Sequence, residues 1–199
     1  RVPKRVDHEQ RRRQIAEALW RLASEHGLED VTLRRVAAEA GVSTRLVQYY
    51  FGTRDELLTK ALDILNLDSE RQAQELIAAE GEPTPRGVLR AVLTEMLPLD
   101  ERRRTRFLVH LAYFVRALSD DSLATAFRDS PALLETTIAD VISWGQRTGE
   151  VPADLNPVPE AELLLNSIDG LQSGIVLGLR SVAESIALID YQLDRVFTR

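Results

Sequence analysis

In Leu33-Arg34-Arg35-Val36-Ala37-Ala38-Glu39-Ala40-Gly41-Val42-Ser43-Thr44-Arg45-Leu46-Val47-Gln48-Tyr49-Tyr50, two short amphipathic segments meet at a glycine. Thr32 and Ser43 each precede one of the segments, where a hydroxyl accepts from the backbone N–H groups that the first turn of a helix leaves unpaired. Gly41 stands between them, where a tight turn needs a positive φ that is cheap only without a Cβ. Ala37 is small enough to let two helices approach, and Val36, Ala40, Val42 and Val47 supply the apolar seam. This is the specification of a helix-turn-helix, whose second helix enters the major groove of DNA. An ordinary helical hairpin has the same seam. The outward positions of the second helix favour the first reading, because Ser43, Thr44, Arg45, Gln48 and Tyr49 are polar or basic. Arg and Gln suit base edges, bidentate to guanine and adenine, while Ser, Thr and Tyr hydroxyls suit phosphates. Arg54, in the first turn of the next helix, opposes that helix's dipole; a neighbouring phosphate would account for it.

Working outward, Ile15, Leu19, Leu22 and Ala23 mark an amphipathic helix from His8 to His26 that Gly27 ends. Thr53-Arg54-Asp55-Glu56 reads as a capping box. The helix it opens runs through Leu57, Leu58, Ala61, Leu62 and Leu65 to about Ala79, long enough to connect two bodies. Gly81-Glu82-Pro83-Thr84-Pro85 is the clearest break. Later helix starts are expected at Thr84-Pro85, Asp100, Ser130-Pro131, Asn156-Pro157 and the second capping box Ser181-Val182-Ala183-Glu184, with stops at Gly149 and Gly178.

Composition agrees with these signals. The chain has 199 residues, 44% of them apolar, with ten glycines and eight prolines, fewer together than the roughly 12% of average usage. Ala, Leu, Glu and Arg are abundant, and no run alternates long enough to build a sheet. The expected fold is all-α: a three-helix N-terminal domain, residues 1–52, and a connector helix with a five-helix bundle, residues 53–199. Cysteine is absent, which excludes disulfides, thiolate metal sites and a cysteine nucleophile. No run reaches the roughly 18 apolar residues of a membrane span. Nothing apolar follows Arg1-Val2-Pro3-Lys4-Arg5, so a soluble, cytoplasmic protein without a membrane partner is expected. Net charge is −6, yet residues 1–60 hold 12 Lys and Arg against 9 Asp and Glu. A basic end on an acidic chain hints at a polyanion partner.

Gly27, Thr32, Val36-Ala37, Ala40-Gly41-Val42-Ser43, Tyr49-Tyr50-Phe51 and Glu56-Leu57-Leu58 form an ordered set over residues 10–60. Through it the chain resembles the tetracycline-repressor (TetR) family of transcriptional regulators. Leu97-Pro98-Leu99-Asp100-Glu101 and Asp169-Gly170-Leu171 are similar to the subgroup around the choline-responsive repressor. The resemblance implies a homodimeric, ligand-responsive regulator, a repressor, bound to a pseudo-palindromic double-stranded DNA operator and released by a small-molecule effector of unknown identity. It places Arg34, Thr44, Arg45 and Gln48 at bases and Ser43, Tyr49, Tyr50 and Arg54 at phosphates. Three positions depart from the family's habit: Arg45 for a frequent Gly, Gln48 for the usual Tyr, and Arg54 for a common Lys. Operator sequence therefore cannot be borrowed from relatives.

Beyond residue 60 the signals thin. Gly170, Gly174 and Gly178, spaced by four in an expected helix from Glu160 to Leu179, each cost roughly 1 kcal/mol relative to Ala, and close helix approach is the reason to keep them. Resemblance assigns that approach to a two-fold dimer, with Leu171, Ile175 and Leu179 as apolar contacts; a role in the chain's own core is the alternative. Phe107, His110, Tyr113 and Phe114 on one helix, with Phe127 and Trp144, are candidates for an apolar effector pocket, although aromatics at helical spacing also build cores. Arg102-Arg103-Arg104-Thr105-Arg106 reads as a solvated face.

No enzymatic constellation emerges. Gly170-Leu171-Gln172-Ser173-Gly174 has its Ser one place late for a nucleophile elbow. His8, His26 and His110 lack metal-ligand spacing. No phosphate-cradling glycine loop is present, and no cofactor is expected. A helical-bundle binding or adaptor protein with a vestigial DNA-binding motif is the competing reading; salt-dependent binding to a pseudo-palindromic duplex separates the two.

Overall fold

The computed structural model describes residues 4–79 and 83–197, without the side chains of 4–7, 69, 70, 73, 76–79, 122 and 126–133. Among these residues there are nine helices and no strand: α1 (Lys4–His26), α2 (Leu33–Glu39), α3 (Thr44–Phe51), α4 (Arg54–Ala79), α5 (Pro85–Met96), α6 (Glu101–Ala117), α7 (Asp121–Thr148), α8 (Pro157–Val176) and α9 (Val182–Val196). The all-α expectation is met. Residues 80–82 of the anticipated break lie outside the described residues.

Helix starts follow their caps. Thr32 accepts from Arg35 N–H, Ser43 from Leu46 N–H and Thr84 from Gly87 N–H. Both capping boxes are closed: Thr53 N–H donates to Glu56 Oε2 at 2.8 Å and Ser181 N–H to Glu184 Oε2 at 2.7 Å. Those bonds hold both carboxyls below the ordinary glutamate pKa. A carboxylate lowered in the fold stabilises it above the unfolded pKa and loses that contribution as pH falls through the folded value, so both caps weaken in acid.

Ser130-Pro131 starts no helix. α7 begins at Asp121 behind Asp120, whose Oδ1 accepts from Leu123 N–H at 3.4 Å, and runs straight through Pro131. An interior proline forfeits one backbone hydrogen bond, and the turns buried at Leu123 and at Ile138 and Ile142 outweigh it.

The chain divides into two compact units, residues 1–69 with 105–127, and residues 70–104 with 128–199. The expected boundary after Gly52 does not coincide with this division, because the first part of α4 and most of α6 share one core with the helix-turn-helix. In that first unit Ile15, Leu19, Val47, Phe51, Leu58 and Leu62 pack with Val109 and Tyr113. Tyr113 is wholly buried, and its hydroxyl donates to the Leu58 carbonyl at 2.8 Å. Burial, then the nearby Asp63 charge, push its pKa far above the usual phenol value. Arg116 adds an ion pair to Glu29 of the α1–α2 loop at 3.0 Å.

In the second unit Leu89, Leu93, Ile138, Ile142, Leu164, Ile168, Ile189 and Leu193 form the core. Arg90 holds Asp190 bidentately, at 2.6 and 3.1 Å, and so joins α5 to α9. Hydrogen bonding to Arg90 keeps the Asp190 carboxyl below its usual pKa.

Candidate nucleic-acid interface

α2 and α3 are too short to persist alone and are held by what they bury. Val36 and Ala37 on α2 and Val47 and Phe51 on α3 are buried, with Val42 half-buried at the turn. Gly41 has φ 65°, the left-handed turn its position requires. Burial of one stripe of α3 fixes the opposite one outward. Ser43, Arg45, Gln48 and Tyr49 are exposed, Tyr49 by 72%, and Thr44 is half-buried. Arg34 is exposed on α2, whereas its neighbour Arg35 pairs with Asp30 at 3.1 Å. Among the described residues no carboxylate is paired with Arg34 or Arg45, so the helix-turn-helix carries two exposed, unneutralised guanidinium groups. Such groups can meet phosphates and base edges.

Two of the expected phosphate-binding residues are engaged within the chain. The Tyr50 hydroxyl lies 2.8 Å from His8 Nδ1, and the Tyr50 ring packs edge-on against Tyr49 at 5.1 Å. Arg54 does not need a phosphate to explain it. Its Nε donates to the Val31 carbonyl at 2.6 Å and a terminal nitrogen to the Leu28 carbonyl at 2.7 Å, so it closes the α1–α2 loop against the start of α4. Charge-assisted hydrogen bonds contribute about 1.5–3 kcal/mol. Arg54→Ala is therefore expected to lower the thermal midpoint of the free protein by several degrees, a loss visible by circular dichroism without DNA; an unchanged midpoint would reject this role. Residues 8 and 60, which the sequence did not single out, support the surface. His8 orients Tyr50, and Lys60 donates to the Phe51 carbonyl at the end of α3 at 3.0 Å. His8 has no short-range signal, since it lies 42 residues from its partner.

The expected effector residues are divided between the two units. Phe107, His110 and Phe114 follow one stripe of α6 in the first unit, each with accessible surface. Crowding of the His110 ring by packed atoms lowers its pKa. Tyr113 is core rather than lining, because its ring is sealed and its hydroxyl is used. Trp144 is half-buried in the second unit, and the side chain of Phe127 lies outside the described residues.

The glycine stripe resolves into three separate causes. Gly178 is not in the helix; α8 stops at Val176, and Gly178 terminates it with φ 69°. Gly174 is buried against Arg180, whose Cδ would lie 3.4 Å from an added Cβ. Gly170 is the helical one of the three that is exposed with open space where a Cβ would stand. Leu171 is buried in the second unit's core, and the half-buried Ile175 packs against that core. Leu179 is exposed. Leu163 and Gly170 of α8 and its C-cap Leu177 recur at seven-residue spacing and are exposed, Leu163 by 62% and Leu177 by 71%, and Tyr191 of α9 is exposed by 62%.

This fold and surface are those of a helix-turn-helix regulator of transcription of the DNA-binding class. Residues 15–61 match the family of bacterial regulatory proteins of the tetR type, and residues 85–198 match the C-terminal region of BetI-type transcriptional repressors. The chain belongs to the TetR family, in its BetI-type branch. It is 30% identical over 170 residues to the HTH-type transcriptional regulator PksA of Bacillus subtilis, covering 85% of this chain and 80% of that protein. With the HTH-type transcriptional regulator BetI of Stenotrophomonas maltophilia it shares 27% identity over 203 residues, 97% of this chain and 98% of that one. A transcriptional regulator from Saccharomonospora viridis, solved in complex with choline, superimposes with a TM-score of 0.83 at 26% identity, over 96% of this chain and 100% of that chain. No helix among the described residues is long and apolar enough to cross a membrane.

Proposed function

We propose that this chain is a ligand-responsive repressor that grips a pseudo-palindromic operator as a homodimer and lets go when a small molecule binds its C-terminal part. The observation that carries the reading is α3 itself, with Val47 and Phe51 buried and Arg45, Gln48 and Tyr49 turned outward. Arg45 and Gln48 read base edges, together with Thr44 and Arg34, while Ser43 and Tyr49 hold phosphates. The exposed Leu163, Gly170, Leu177 and Tyr191 support pairing of two copies, which sets two recognition helices about one turn of duplex, roughly 34–36 Å, apart. An effector regulates by binding the DNA-incompetent arrangement better than the competent one.

Selection of duplexes from a randomised library by the full chain tests this directly. The expected product is an inverted repeat bound with steep salt dependence. Recovery of no duplex, or of one half-site bound by a single chain, would reject the reading. Choline, the molecule held by the Saccharomonospora viridis neighbour, is the first probe for release of the selected duplex; failure to release transfers the effector role to another small molecule.

A further inference from the structure

The first turns of α1 are tied to the helix-turn-helix at two points. His8 Nδ1 meets the Tyr50 hydroxyl in the last turn of α3 at 2.8 Å. Gln14 Nε2 donates to the carbonyl of Ala40, which ends α2 just before the turn, also at 2.8 Å. Residues 8 to 14 of α1, a helix that packs on α2, therefore reach by their side chains from the C-terminus of α3 to the turn that leads into it.

Three arginines lie in that interval, and they differ. Arg13 is neutralised, 2.7 Å from Asp68 and 3.1 Å from Glu17. Arg11 donates to Gln14 Oε1 at 2.7 Å, so its partner is a neutral amide that is itself anchored on Ala40. Arg12 is exposed and makes no ion pair among the described residues. Residues 4–13 of α1 hold five Lys and Arg against two Asp and Glu in a chain of net charge −6, so positive charge is concentrated in the first turns of this helix.

A helix seated in a major groove about 12 Å wide has a phosphate ridge on either side of it. A second helix tied to the C-terminus of the recognition helix and to the turn before it is carried toward one of those ridges. We propose that Arg11 and Arg12 of α1 contact the phosphates flanking the groove that α3 enters, a second cationic edge to the interface that adds affinity without reading sequence. Gln14 positions Arg11 through the Ala40 carbonyl, and Arg12 reaches from the exposed side. The proposal rests on the DNA-binding reading above.

Fluorescence anisotropy of the full chain tests it on two 30-base-pair duplexes (about three turns): the inverted repeat selected by the wild type, and a random sequence. Arg12→Gln and the double variant Arg11→Gln/Arg12→Gln should weaken binding to both duplexes by a similar factor. The slope of log affinity against log salt should fall by about 0.9 for each lost contact, hence roughly 1.8 per dimer for the single variant. Base preference at every operator position should stay unchanged, and Arg12→Lys should restore the slope. Thermal melting of each variant checks the fold; if the half-buried Arg11 position destabilises, the single variant decides. An unaltered slope with a wild type that still binds the repeat overturns this proposal alone. A wild type that binds neither duplex overturns the DNA-binding reading as well.

Discussion

Replacing Arg45 by alanine is expected to cost about 1–3 kcal/mol of specific binding per half-site. A homodimer carries the substitution twice, so the operator affinity falls by about 2–6 kcal/mol, roughly 30-fold to 20,000-fold. The size follows from position. Arg45 lies on the exposed stripe of α3 opposite the buried Val47 and Phe51, where a recognition helix presents side chains to base edges. The same exposure makes the substitution nearly neutral for the fold, since no described residue pairs with the guanidinium and no core contact is lost. Affinity should fall while the thermal midpoint holds. Discrimination should fall too: with one operator position randomised at a time, the variant loses preference at the contacted base pair and keeps it elsewhere. A phosphate contact behaves differently, weakening all duplexes alike. A mobility-shift titration in which Arg45→Ala binds the selected repeat as the wild type does would remove Arg45 from base readout.

The local features of this fold were legible because they are chemically local. Thr32, Ser43, Thr84 and the boxes at Thr53 and Ser181 cap helices with groups three residues away, and Gly41 sits where the turn needs it. What escaped was decided at a distance. Arg54 looks electrostatically misplaced until the loop carbonyls of Leu28 and Val31, 26 and 23 residues earlier, are brought to it. Tyr113 has the composition of a pocket residue and the surroundings of a core residue, and only the packing of α6 on α4 separates the two. On α8, Leu163 and Leu164 are equally apolar, so periodicity cannot tell which stripe turns inward; Leu164 is buried and Leu163 is not. Leu171 is buried and Gly170 is exposed one position away, a rotation of about 100° on a helix of 3.6 residues per turn. Pro131 is the reverse case, a strong local signal overruled by what the long α7 buries on either side.

Gly170→Arg is the substitution that separates the chain's own stability from its assembly, because the two should move in opposite directions. In a single chain nothing lies within 4 Å of the site an added Cβ would occupy. A glycine inside a helix also costs about 1 kcal/mol relative to a good helix former such as arginine. The folded subunit should therefore be as stable as the wild type or slightly more so. Pairing of two copies through the exposed residues of α8 and α9 encloses position 170 on both sides of the interface, since an isologous interface uses the same patch on each copy. Each copy then contributes a bulky cation where the wild type has a bare backbone, and like charges in an excluded interface cost several kcal/mol. The dimer dissociation constant should rise by about 100-fold or more. Operator binding should follow it down, because a lone subunit grips one half-site and loses the millimolar effective concentration that links the second site to the first. Sedimentation equilibrium across protein concentrations reads the first effect, and anisotropy on half-site and full-site duplexes reads the second. Wild type and variant should bind the half-site alike. If Gly170→Arg sediments as the wild type does, the pairing face lies elsewhere, and the exposed Leu163, Leu177 and Tyr191 need another partner.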